Sequence, residues 1–121
     1  MRNHFFKRSA LMRGLFIFSL GCLMSLLLMA SAQAHKVNLF AYAEGGTVFT
    51  ESYFPDGKAV KGGKVLVYDN RDALLLEGFT DQEGLFHFEI PKMDDLTIVI
   101  DAGMGHRNSF TLKKADLEAG Q

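Results

Sequence analysis

From Lys36 onward, apolar and polar residues alternate in short runs broken by turn residues, which is the period-two signature of half-buried strands. Lys36–Glu44 places Val37, Leu39, Ala41 and Ala43 on one face, and Gly45-Gly46 is a two-residue hairpin signal into Thr47–Phe54. Pro55-Asp56-Gly57 turns the chain, and Gly62-Gly63 opens Lys64–Asp69. Asn70-Arg71-Asp72 leads into Ala73–Thr80, and Asp81-Gln82-Glu83-Gly84 leads into Leu85–Ile90, which ends at Pro91. Asp94-Asp95 precedes Leu96–Ala102, and Gly103-Met104-Gly105 precedes His106–Leu112. Seven strands with a turn signal about every ten residues predict an all-β sandwich. The alternation within each run predicts a core of Leu39, Val48, Val65, Val67, Leu75, Phe86, Phe88, Ile90, Leu96, Ile98 and Ile100. Helical spacing appears only in Lys113–Gln121, read as a tail too short to matter, and there is no internal repeat.

The first 34 residues follow a different pattern. Met1–Arg13 is basic, Gly14–Met29 is a 16-residue run without charge, and Ala30–Ala34 ends in Ala-Gln-Ala. This three-part layout predicts a secretory signal peptide cleaved after Ala34. The apolar run falls short of the roughly 20 residues of a membrane span, so an uncleaved N-terminal anchor is the weaker alternative. The predicted division is a signal segment over 1–34, a sandwich over 35–112 and a tail over 113–121. Cys22, the one cysteine, leaves with the signal, so the mature chain has no thiol or disulfide chemistry. The expected product is periplasmic, exported and soluble, and peripheral to the membrane.

Charge sharpens this picture. The whole chain has a formal net charge of −1, but residues 1–34 contain four bases (Arg2, Lys7, Arg8, Arg13) and no acid. Residues 35–121 therefore hold 9 bases against 14 acids and sum to −5. A domain of that sign without a basic cluster has no electrostatic footprint for nucleic acid.

Two segments are more specific than strand patterning. They are Ala59-Val60-Lys61-Gly62-Gly63-Lys64-Val65-Leu66-Val67-Tyr68-Asp69 and Glu77-Gly78-Phe79-Thr80-Asp81-Gln82-Glu83-Gly84-Leu85-Phe86-His87-Phe88-Glu89-Ile90-Pro91. Together they resemble the carboxypeptidase-regulatory-like (transthyretin-related) domain, which implies a seven-stranded immunoglobulin-like or transthyretin-like β-sandwich. Thr80, Asp81 and Gly84 are then scaffold: Thr80-Asp81 ties the turn and Gly84 supplies a positive φ. His35–Ala41, Glu51–Phe54 and Leu96–Arg107 narrow the likeness further, with Asp101-Ala102-Gly103-Met104-Gly105-His106 as its most specific piece. In this order, the chain resembles the small exported accessory protein of bacterial nickel/cobalt transporters of the energy-coupling-factor type. The resemblance implies membrane transporter subunits as partners and nickel or cobalt as cargo. Members of that family carry a C-terminal membrane helix after the sandwich, whereas this sequence stops at Gln121. A freely diffusing form, or one that relies on a separate membrane partner, is the expectation.

The residues offer ligands for such a cargo. After cleavage the chain would begin with His35, whose α-amino group and imidazole Nδ1 together chelate one ion. His106 is the second candidate, beside glycines that let a ligand approach the backbone. Met104 offers a thioether, or else plugs the turn as a hydrophobe. Asp101 offers an oxygen ligand or an acceptor that fixes a histidine tautomer; His106 is otherwise a turn-flanking residue pairing with Asp101 or Asp72. His87, between Phe86 and Phe88, should be exposed and inert. Amine and imidazole nitrogens suit Ni(II), Co(II) and Cu(II), and copper should bind most tightly, so a copper-binding periplasmic protein is a competing reading. Most of the acids sit in turns where they cap backbone, and neither a nucleophile with its base nor a phosphate-cradling glycine loop is apparent, so the chain reads as non-enzymatic. The alternative from another class is a structural or adhesive sandwich module that binds a protein or glycan. Docking by strand pairing would use the edge Lys36–Glu44.

Overall fold

The computed structural model describes residues 3–29 and 36–121. The chain divides into two compact units, Met1–Ala34 and His35–Gln121. In the first unit a single helix, α1, spans Asn3–Met29. Its composition is rich in Leu, Met and Phe and free of Pro, which favours helix. Among the described residues no helix is long and apolar enough to cross a membrane. The proposed cleavage segment 30–34 and His35 lie outside the described residues.

The second unit holds seven antiparallel strands: β1 (Asn38–Glu44), β2 (Thr47–Tyr53), β3 (Lys64–Tyr68), β4 (Leu74–Phe79), β5 (Leu85–Glu89), β6 (Leu96–Asp101) and β7 (Arg107–Leu112). Every strand expected from the alternation is present, with ends within two residues of the predicted ones. They form a three-stranded sheet, β1-β2-β5, and a four-stranded sheet, β4-β3-β6-β7. Apolar side chains from both sheets share one core, with Val48 of the first and Val65, Val67, Leu96, Ile98 and Ile100 of the second fully buried. Leu39 and Phe88 are buried as expected, whereas Leu75, Phe86 and Ile90 pack against the core while keeping part of their surface in water. Val37, Ala41, Val60, Leu112 and Leu117 complete the core.

The turns do what their chemistry requires. Gly45 and Gly46 both take positive φ, at 59° and 79°, so the β1–β2 turn follows the twist of the hairpin. Asp81 Oδ1 accepts from the backbone N–H of Glu83 (2.8 Å) and Leu85 (3.0 Å), which closes the turn between the two sheets. Gly84 sits at φ 77°, where an added Cβ would lie 2.3 Å from Ser52 O, so the backbone of the turn presses directly on β2. Buried Thr80 accepts from Gly63 N (2.8 Å) and donates through Oγ1 to Val60 O, pinning the loop before β3 to the end of β4. Two backbone groups in a buried site are thereby satisfied by one hydroxyl.

The tail corrects one expectation. Lys114–Ala119 forms a short helix, α2, whose Leu117 is fully buried in the sandwich core. Gly120 O accepts from Gly46 N (3.1 Å), and a Cβ on Gly120 would meet Ala43 O at 2.3 Å. Six residues are too few for helix propensity to be decisive; the anchor is one leucine and a backbone bond to the β1–β2 hairpin.

Candidate functional site

The hairpin between β6 and β7 presents the candidate residues Asp101, Met104 and His106. Gly103, Met104 and Gly105 all take positive φ, at 78°, 55° and 81°. Two of these are glycine, but Met104 adopts this conformation with a side chain, at some steric cost. The turn is held by Ala102 N donating to His106 O (2.8 Å) and His106 N donating to Gly103 O (2.9 Å).

Each side chain in this hairpin has a clear placement. Asp101 Oδ1 accepts from Gly103 N (2.9 Å), and Asp101 Oδ2 faces Arg107 Nη1 at 3.8 Å, so the carboxylate serves the turn and a cross-strand ion pair. Met104 is 91% exposed, so it does not plug the turn: its backbone conformation throws the side chain outward. His106 is half-buried, with Nδ1 3.1 Å from Gly103 O and its ring edge-on to Phe54 at a centroid distance of 5.6 Å. Nδ1–H donation to that carbonyl would make Nε2 the nitrogen with the lone pair, the usual arrangement of a metal-ligating histidine. Among the described residues no three His, Cys, Asp or Glu side chains are grouped to hold a metal ion.

A contact outside this hairpin connects it to the start of the domain. Asn108 Nδ2 donates to Val37 O at 2.8 Å, and Phe40 packs edge-on to Phe110 at 5.8 Å. Residues 37 to 40 and 108 to 110 therefore run side by side in the same direction, one strand from each sheet. Val37 is 1% exposed, so the chain is firmly seated from this residue onward. His35 lies two residues before Val37 and His106 two before Asn108. Asn108 and Phe54 are the residues that sequence reasoning missed here. Asn108 left a trace: it is the polar member of the alternating series Asn108, Phe110, Leu112, exposed at the start of β7 where Leu112 at its end is buried.

Of the acids assigned as turn caps, Asp56, Asp69, Asp81, Asp94 and Asp95 accept backbone N–H groups. Asp69, 4% exposed, accepts from Lys92 Nζ (2.8 Å) and from the backbone N–H of Ala73 (3.0 Å) and Arg71 (2.9 Å). The Lys92 bond, then the two backbone bonds, lower its pKa from an ordinary 3.8 to about 2. Asp95 is also lowered, first by the N–H of Lys114 and then by the Lys113 ammonium. His87 is exposed, with its ring 6.1 Å from that of Phe49. β1 is an edge strand of its sheet, with α2 and β7 packed beside it. Compared with protein families, with curated proteins and with solved structures, the chain matches none.

Proposed function

We propose that the chain is an exported, non-catalytic accessory component of nickel or cobalt uptake, handing the ion to membrane transporter subunits. His35 and His106 are its ligands. The observation that carries this reading is the clamp of Asn108 on Val37, with β1 and β7 parallel beyond it. His35 stands two positions before Val37 in the sequence, and the backbone from Val37 onward is tied to the start of β7. An α-amine and an imidazole from His35, joined by the imidazole of His106, make a nitrogen-only set suited to Ni(II), Co(II) and Cu(II). Asp101 already caps its turn and faces Arg107, and Met104 extends into solvent, so the proposal rests on the two histidines.

The test uses the exported chain as the host processes it, with its N-terminus read by mass spectrometry. Calorimetric titration with Ni(II) should give one saturable site, lost when an extra Ala precedes His35 and weakened about tenfold or more by His106→Ala. Asp101→Asn and Met104→Leu should bind like the parent. Cu(II) will bind the same nitrogens more tightly, so the cargo is read in cells: deletion should lower nickel or cobalt accumulation and leave copper unchanged. A mature form that begins elsewhere, or Ni(II) binding indifferent to both histidine changes, would overturn the reading.

A further inference from the structure

The outward face of the β1-β2-β5 sheet is aromatic at its centre and acidic around it. Register places Tyr42, Phe49 and His87 in one row across the three strands. Tyr42 stacks on Phe49 at a centroid distance of 5.3 Å and an interplanar angle of 21°, and Phe40 lies 6.1 Å from Tyr42 along β1. Phe40 is 50% and Tyr42 41% exposed, so the rings form a wide, open platform. Glu44 and Glu89 lie on one side of the row and Glu51 on the other, and the strand residues of this face include no Lys or Arg.

The charge on this face is not balanced within the chain. Asp56, Asp69, Glu77, Asp94, Asp95, Asp101 and Glu118 all have a lysine or arginine partner. Among the described residues no ion pair involves Glu44, Glu51 or Glu89. An apolar platform that size beside uncompensated carboxylates is complementary to a flat cation. A guanidinium lies face-on to an aromatic ring while its N–H groups reach carboxylates, and a lysine stem does the same less specifically. A neutral sugar ring would also stack, but it would desolvate three carboxylates without returning a counter-charge. A single small ammonium ion needs enclosing walls, which a flat sheet face does not supply.

We infer that the outer face of the β1-β2-β5 sheet docks an extended, arginine- and lysine-bearing segment of a partner protein. This inference does not rest on metal binding: it uses neither His35 nor His106, so either reading can fail alone.

The probe is a short peptide alternating Arg and Thr, titrated by calorimetry into the processed exported chain at low salt. Its citrulline counterpart keeps the planar side chains and removes the charge. The Arg peptide should bind saturably, with the citrulline peptide about tenfold weaker, and with a similar loss in the Glu44→Gln, Glu51→Gln, Glu89→Gln triple variant. Tyr42→Ala should also weaken binding, with its thermal midpoint checked against the parent. A charge-matched control, Asp56→Asn with Glu77→Gln and Glu118→Gln, should bind like the parent. Equal weakening by the control would mean that net charge alone attracts the peptide, and the inference would fall. It would also fall if the citrulline peptide bound as well as the arginine one, if maltohexaose bound in its place, or if no saturable binding occurred.

Discussion

Asp69 shows how much one buried carboxylate does in a domain whose residues 36–121 include no cysteine to staple it. It closes the β3–β4 connection by accepting two backbone N–H groups, and it ties that connection to Lys92 after β5. Because its folded pKa of about 2 lies below the unfolded 3.8, ionised Asp69 favours the folded state. The contribution is complete above pH 3.8 and is lost as the pH falls through about 2. Urea-unfolding midpoints of the parent and of Asp69→Asn should differ most above pH 3.8 and converge towards pH 2. A constant gap across that window would assign the effect to shape rather than charge. The same economy recurs in the other turns: Asp56, Asp81, Asp95 and Asp101 each accept a backbone N–H.

Short elements here are held by the partners they bury rather than by their own propensity. α2 has six residues and no side-chain cap at its start, yet Leu117 is fully enclosed. Truncating a fully buried leucine removes its transfer energy and leaves a cavity, so Leu117→Ala should destabilise the domain by about 3 kcal/mol in urea unfolding. A loss below about 1 kcal/mol would show that the helix docks without contributing to the core. β4 is the opposite case: an edge strand with Leu74 and Phe79 exposed, pinned chiefly by its pairing with β3 and by Thr80. The hairpin of β6 and β7 joins strong strands through a turn with three successive positive φ values, so its candidate ligand His106 stands on a rigid base beside a strained Met104.

For the domain as a unit, stability should follow the sheet order. β3 and β6 are paired on both sides, and Val65, Val67, Ile98 and Ile100 are fully buried between the layers. Their amides should exchange with solvent most slowly, through global unfolding, whereas those of edge strands β4 and β1 should open locally and faster. Hydrogen exchange followed by NMR checks this, and slower exchange in β4 than in β6 would contradict it. The seven strands, their approximate bounds and the chemistry of their turns were legible in the sequence, because alternation and turn-residue preferences act over a few neighbouring residues. So were the inward positions of Val48, Val65, Val67, Leu96, Ile98 and Ile100. The partnership of strands was not, since it depends on contacts between segments far apart in the chain. Only the folded domain sets Val37 against Asn108, buries Leu117 of the tail, turns Asp101 away to its own loop and gathers Tyr42, Phe49 and His87 into one row. Local sequence decides which way a side chain points from its strand, and packing of distant strands decides what it meets there.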